Sequence, residues 1–493
     1  MRRIALSFVI FAAIITAASA RQKSSPPAAV SFDSVREFIK QQLTERSIPS
    51  IAVSVARDRQ IIWEEAFGWA DRENRVPTTP HTMYSLASIS KTITATGLMI
   101  LKERGRVDLD RPINEYLGEA KIAVRVGAPA EATVRRVANH TAGLPLYTHF
   151  YFAGEPDQAP SRDETIRRYG ISVTAPGERY QYSNLGYGIL DYVIERVSGR
   201  SYADFMREEV FLPLGLTRTS VDIGLGLEKH QAVRYDTEGL PIPFYYSDHP
   251  GASAVYASAH DLVRFGMFHV KAHLPDQKAI LKDETIDEMQ KAAADTNGYG
   301  IGWSTTVPSG WRGVWHTGAM SGVSTMLYLD PVEKIAIVVL SNASSDLPFQ
   351  VGGRIVAALS PQVAGAATPQ NQPPSEPVFK PSSELLGTWQ GRVHTHEGGG
   401  LPFMLVFQPD GDIHARMGRQ LRTLLNRVEF KDGYLRGSFN SDIGTEDANR
   451  RRYELLLSLK LRGDSLNGGI TARSQGKCPC NALTHWVELK KVE

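Results

Sequence analysis

Two Ser-x-x-Lys tetrads occur in the sequence, and their surroundings differ completely. Ser88-Ile89-Ser90-Lys91 is followed by Ile93, Ala95, Leu98, Met99, Ile100 and Leu101, apolar nearly all round, which is the pattern of a buried helix. A three-residue spacing puts the Lys91 amine beside the Ser88 hydroxyl on the first turn. A lysine desolvated there loses proton affinity and can take the serine proton, the chemistry of an activated acyl nucleophile. An ordinary core helix has no use for an inward-pointing lysine. Ser474-Gln475-Gly476-Lys477 lies instead in a Gly/Cys/Pro loop and reads as coincidence.

Two triplets strengthen the first tetrad. Tyr182-Ser183-Asn184 follows the turn Pro176-Gly177-Glu178, and His316-Thr317-Gly318 enters the strand of a hairpin. Each is weak alone, but their order within one domain is a joint signal. No Gly-x-Ser-x-Gly elbow is present, which argues against an α/β-hydrolase. Neither a His-Glu-x-x-His pair nor a dinucleotide-binding glycine fingerprint occurs, and no cofactor or metal is expected. His394-Thr395-His396 reads as an exposed pair and Arg450 to Arg452 as a solvated loop. His140 and Glu178 read as structural, in a buried loop and at a turn.

The elements that must hold these residues follow from periodicity. A helix is predicted from about Asp33, with Ser34 and Glu37 as a capping box and Val35, Phe38, Ile39 and Leu43 on one apolar face. Ile51 to Ala56 and Ile61 to Phe67 predict a hairpin turning at Asp58-Arg59. Val323 to Leu329 and Ile335 to Leu340 predict a second, with its turn through Asp330-Pro331. Strands, then mainly helix, then strands imply an α+β fold with one antiparallel sheet flanked by helices over residues 32–360. Residues 361–383 contain six prolines and read as a linker. Short strands from 387 onward, separated by turns such as Pro409-Asp410-Gly411, predict an all-β, barrel-like domain over 384–493. A linker of this kind predicts few contacts across it and a hydrolase domain stable alone.

The first residues read as a signal for export. Arg2 and Arg3 precede an apolar run from Ile4 to Thr16, then Ala18-Ser19-Ala20, which fits cleavage after Ala20 and a periplasmic or secreted location. Without those two arginines, basic and acidic side chains balance at 53. That balance recommends neither a nucleic acid nor an anionic membrane as partner. Cys478 and Cys480 could oxidise only into a very small ring.

Together these segments resemble the class C β-lactamase family, which includes DD-peptidases, D-amino-acid peptidases and esterases. The likeness runs from about residue 33 to 358. It includes Tyr84-Ser85-Leu86-Ala87, Asn139-His140-Thr141-Ala142-Gly143-Leu144-Pro145, Tyr299-Gly300-Ile301-Gly302-Trp303 and Leu340-Ser341-Asn342. Gly387-Thr388-Trp389 similarly resembles the lipocalin-like barrels appended to some of these hydrolases. The resemblance implies that Ser88 is acylated, that Lys91 with Tyr182 exchanges its proton, and that Asn184 holds the substrate amide. It also implies that His316, Thr317, Gly318 and Ala319 line the substrate, with the Ser88 and Ala319 N–H groups as an oxyanion hole. Most β-lactamases carry lysine where His316 stands; His316-Thr317-Gly318 resembles some DD-peptidases and esterases of the family instead, which implies less efficient β-lactam hydrolysis. A histidine there titrates near 6.5, and carboxylate recognition is expected to weaken from about pH 5 to 8. The expected function is hydrolysis through an acyl-Ser88 intermediate of D-amino-acid peptides, β-lactams or esters. The alternatives are a non-catalytic penicillin sensor and an esterase of small esters. Pocket shape is expected to depend on residues 146–175 and 225–255, and the oligomeric state is left open.

Overall fold

The computed structural model describes residues 30–224, 226–293, 296–308, 310–359, 379–476 and 480–492. The leader, most of the proline-rich segment and Lys477 to Pro479 lie outside the described residues. Helix α1 (Asp33–Glu45) opens the hydrolase part, with Val35 and Ile39 buried as the apolar face requires. Its capping box does not form: Phe32 is the N-cap residue without a side-chain cap, and Ser34 lies inside the helix. Ser31 bonds Asp33 instead, and the helix starts at Asp33 as expected, with its N-cap two residues ahead of Ser34.

Strands β1 (Ser50–Arg57) and β2 (Gln60–Asp71) form the first hairpin. Asp58 and Arg59 both take positive φ, 49° and 68°, as a two-residue turn matched to strand twist demands. Strands β3 (Val76–Pro77), β4 (Val314–Met320), β5 (Val323–Asp330) and β6 (Ile335–Ser341) complete a six-stranded sheet in the order β4-β5-β6-β1-β2-β3. The first and last long strands of the hydrolase part thus meet in mid-sheet, where β1 pairs antiparallel with β6. The His316 triplet occupies β4, a strand of its own beside the predicted second hairpin.

Alternation decides what each face of β1 meets. Ile51, Val53 and Val55 pack with Val35, Ile39 and helix α5 (Leu347–Leu359), while Ala52 and Ala56 face the main core. Helix α4 (Ala259–His269) lies against β1 and β6 on that second side. Beyond it come α2 (Ser90–Glu103) and α3 (Asn184–Ser198), which pack on each other. Every residue of α2 from Ser90 to Leu101 is buried, as its all-round apolar sequence implies.

Residues 387–492 hold nine antiparallel strands: β7 (Gly387–His394), β8 (Leu401–Phe407), β9 (Ile413–Met417), β10 (Thr423–Leu424), β11 (Asn426–Lys431), β12 (Tyr434–Phe439), β13 (Tyr453–Arg462), β14 (Ser465–Ser474) and β15 (Ala482–Val492). Their order is β10-β9-β8-β7-β15-β14-β13-β12-β11. The two edge strands, β10 and β11, are joined by Leu425 alone, so the sheet must curl until its edges meet, giving a nearly closed barrel.

The expectation of few contacts across the linker does not hold. Glu178 receives hydrogen bonds from Tyr434 (2.7 Å) and Arg462 (2.5 Å) and pairs with Lys460 at 2.6 Å. The Arg179 guanidinium stacks 3.9 Å over Tyr434, and Tyr169 donates to Asp447. Arg450 pairs with Asp157 at 3.1 Å, and Arg451 reaches Glu155 and the Phe152 ring, so this run docks the barrel rather than facing solvent alone. Glu178 is structural as expected, but as an interdomain anchor.

Candidate active site

Between Thr82 and Leu101 every residue is buried except Ser88. It does not open α2 but precedes it, in the 3₁₀ turn Ala87–Ile89. Ala87 holds φ at 48°, a left-handed conformation that costs a non-glycine residue about 1 kcal/mol or more. Surrounding contacts impose it. Leu86 N–H donates to the Val255 carbonyl (2.9 Å), and the Leu86 carbonyl accepts from Thr325 Oγ1 (3.0 Å). Strand β4 presses on the same segment: a Cβ at Gly318 would lie 2.1 Å from the Leu86 oxygen, so only glycine fits there.

One turn on, Lys91 is wholly buried. Its Nζ lies 3.1 Å from Ser88 Oγ, 2.7 Å from Asn184 Oδ1 and 3.0 Å from the Ala252 carbonyl. Burial drives its proton affinity well below that of a free lysine. A neutral amine has two N–H groups, which Asn184 and Ala252 accept; the lone pair then faces the Ser88 hydroxyl. The tetrad spacing therefore delivers the juxtaposition it predicts. Asn184 stands at the head of α3, where Ser183 caps by accepting from Gly186 N–H at 3.0 Å. Its amide nitrogen donates to the Tyr147 carbonyl at 2.9 Å, which settles the orientation of the side chain. The Tyr182 ring centroid lies 4.8 Å from Lys91 Nζ. Burial raises the Tyr182 hydroxyl above the usual tyrosine range, while its hydrogen bond with Ser88 works the other way.

His316, Thr317, Gly318 and Ala319 divide by alternation along β4. Thr317 and Ala319 are exposed, whereas His316 and Gly318 are buried. His316 Nε2 lies 2.9 Å from the Tyr299 hydroxyl and Nδ1 lies 2.7 Å from the Thr317 carbonyl. A carbonyl only accepts, so Nδ1 carries the proton and Nε2 accepts from Tyr299. Burial first, and second the repulsion that any charge on Lys91 adds, push its pKa down to about 3. His316 is thus a neutral, fully bonded group, and the expectation that it titrates against a substrate carboxylate between pH 5 and 8 is corrected. His140 lies deeper, its ring 4.4 Å from that of Tyr182, and accepts from Ser183 N–H at 3.1 Å. It is the structural residue expected.

Ser88, Asn184, Ala319, Thr148, Phe150 and Cys480 are among the residues lining a cavity of about 470 Å³. His249 and Ser253 also touch it, so residues 146–175 and 225–255 do shape the pocket. Cys480 was not foreseen. It belongs to the barrel, and no local pattern marks a residue that reaches a site more than three hundred positions away.

Among the described residues, one group has the spacing of a metal site: His396, Glu397 and Asp447. It lies at the barrel interface rather than beside Ser88, and its acceptors are already engaged. Asp447 takes the Tyr169 hydroxyl, and Glu397 takes the Glu446 N–H at 2.8 Å. His396 is mostly buried there, its side chain 10% exposed, which corrects the reading of an exposed histidine pair. Ser474 closes β14 and accepts from Asn481 N–H; Lys477 lies outside the described residues, and nothing joins the second tetrad to the site.

A buried lysine against a partly accessible serine that follows a strained Ala87, with β4 pressed on the same turn, defines a serine acyl-transfer enzyme of the penicillin-recognising type. The Beta-lactamase family model matches residues 35–360, and the chain belongs to that family of serine hydrolases. Penicillin-binding protein 4* of Bacillus subtilis (strain 168) is 30% identical over 332 residues, 60% of this chain and 69% of that protein. Protein flp of Staphylococcus aureus (strain N315) is 25% identical over 320 residues, and the chain spans 63% of its length. Among solved structures, the octameric penicillin-binding protein homologue from Pyrococcus abyssi covers 93% of this chain and 99% of its own, with TM-score 0.56 and 22% identity. SurE has TM-score 0.60 and 21% identity over the same shares. A class C β-lactamase covers 67% of this chain and 96% of its own, with TM-score 0.57 and 19% identity.

Proposed function

We infer that this protein is an exported hydrolase that forms an acyl-enzyme at Ser88. The observation that carries this reading is the Lys91 amine, desolvated and 3.1 Å from Ser88 Oγ, with its other acceptors fixed. Lys91 takes the Ser88 proton as Oγ attacks an amide or ester carbonyl. The N–H groups of Ser88 and Ala319 stabilise the oxyanion, usually the largest single contribution in acyl transfer. Tyr182, bonded to Ser88, gives its own hydroxyl proton to the leaving group and regains one from the protonated Lys91, and Asn184 lies in the pocket wall where a substrate amide would pass. Water then cleaves the acyl ester. D-amino-acid peptides, β-lactams and simple esters all carry a suitable carbonyl.

A neutral His316 favours one reading within this set. A lysine at that position would offer a fixed positive charge to a substrate carboxylate, and His316 offers none. Esters and other uncharged acyl groups become the better substrates, and efficient β-lactam turnover the lesser activity. Assay of a chromogenic cephalosporin, a D-Ala-D-Ala peptide and a short-chain nitrophenyl ester in parallel tests this. The ester should turn over fastest, and Ser88→Ala should abolish all turnover and covalent labelling by a fluorescent penicillin. Lys91→Ala and Tyr182→Phe should each slow acylation roughly 100-fold or more, without additivity, because they serve one proton transfer. Labelling that survives Ser88→Ala would discard the assignment; labelling of Ser88 without turnover of any substrate would make the protein a penicillin sensor. Export rests on the leader, and N-terminal sequencing of the mature protein should begin at Arg21.

A further inference from the structure

The carbonyl that orients Asn184 belongs to Tyr147, and the residues on both sides of Tyr147 are fastened to the barrel. Thr484 Oγ1 donates to the Leu146 carbonyl at 3.2 Å. Thr148 Oγ1 donates to the Cys480 carbonyl at 2.6 Å. The backbones of Thr148 and Ala482 exchange N–H···O bonds of 3.2 and 2.8 Å, a single antiparallel bridge between the two domains. Two residues further on, Phe150 N–H donates to Asn481 Oδ1 at 3.0 Å. Asn481 is itself buried and held by Ser474 through bonds of 2.7 and 2.9 Å. Residues 146–150 therefore run as an extra ribbon on the barrel while forming a wall of the Ser88 cavity, where Thr148, Phe150 and Cys480 all lie.

We propose that the barrel segment Cys480–Thr484 is a positioning clamp for the acylation centre, with Asn481 and Thr148 as its positioning residues. The inference rests on Ser88 and Lys91 acting as nucleophile and base. The clamp fixes the Tyr147 carbonyl, which takes the Asn184 amide N–H at 2.9 Å; that fixes Asn184 Oδ1 as the acceptor 2.7 Å from Lys91 Nζ. An asparagine amide is nearly symmetric in shape but opposite in polarity at its two ends. Released from the Tyr147 carbonyl, it can rotate and turn its NH₂ toward the lysine, which removes the acceptor that aims the amine at Ser88. The barrel thus governs the chemical step more than substrate binding.

The test is acylation kinetics of the full-length protein with a nitrophenyl ester and a fluorescent penicillin, separating the rate of acylation from the apparent affinity. Thr148→Val keeps shape but removes the hydroxyl, and Asn481→Ala removes the acceptor for Phe150 N–H. Each should slow acylation roughly 10- to 100-fold, as small misplacements of a catalytic group do, with affinity changed less than about twofold. Thr148→Ser restores the hydroxyl and should restore the rate. Lys460→Gln loosens an interdomain contact that does not touch residues 146–150 and should acylate like the natural protein. Wild-type rates in both Thr148→Val and Asn481→Ala overturn the clamp, as does an equal slowing by Lys460→Gln. Ser88→Ala, run alongside, separates the two ideas: if it still labels, the nucleophile assignment fails; if it does not and the clamp variants are unaffected, only the clamp fails.

Discussion

At the scale of single residues, His316 shows how surroundings outweigh residue type. Its buried ring donates to the Thr317 carbonyl and accepts from Tyr299, and a pKa near 3 leaves it uncharged above about pH 4. A histidine lowered in the folded state stays neutral through the physiological range, so nothing on β4 changes charge between pH 5 and 8. The ratio of kcat/KM for a carboxylate-bearing substrate to that for a neutral ester should therefore stay flat across that interval. A ratio that declines steadily with rising pH would show that His316 does meet the substrate as a cation. Taking the ratio cancels the pH dependence of Lys91 and Tyr182, which both substrates share.

Among the elements, the contact of β4 with the turn before α2 is the one that assembles the site. The turn is strained at Ala87, and Gly318 lets the strand approach close enough to hold it. Gly318→Ala would set a methyl carbon 2.1 Å from the Leu86 carbonyl oxygen, which is backbone and cannot swing aside. The strand must retreat, taking the Ala319 N–H with it. Such overpacking costs about 1–3 kcal/mol, so a lower Tm is expected together with a far larger loss of Ser88 labelling. Loss of stability without loss of labelling would show that β4 is only a packing strand. Helix α2, by contrast, owes its position to burial on every side and needs no special contact.

Across the whole molecule, the barrel and the hydrolase part meet around half-buried, paired polar groups. Glu178 is the clearest of these. Burial works against its charge, yet hydrogen bonds from Lys460 and Tyr434 and the Arg462 charge hold its pKa down to about 2. A carboxylate lowered in the folded state contributes stability above its unfolded pKa, about 4.3, and that contribution disappears as pH falls toward 2. Thermal unfolding followed from pH 5 to 2 should thus show a falling Tm whose slope is reduced in Glu178→Gln. Identical slopes would mean the interface is held elsewhere.

What the sequence determined by itself was whatever has a local period or a fixed short spacing. The three-residue step from Ser88 to Lys91, the all-round apolar α2, the alternating β1 and the Asp58-Arg59 turn are encoded within a few residues, and each is found where its pattern predicts. Strand β14 carries little local signal, because Gly468 and Gly469 dilute its pattern; a Cβ at Gly468 would lie 2.2 Å from the Ser458 carbonyl, so close strand approach takes the place of β-forming side chains there. Tertiary structure alone decided the rest. The charge state of His316 depends on Tyr299 and Lys91, the docking of Glu178 depends on β12 and β13, and the pocket wall depends on Cys480 meeting Thr148 across 332 positions. Contacts of that kind leave no local trace, because hydrogen bonding and burial depend on which distant surfaces meet and not on the residues next door.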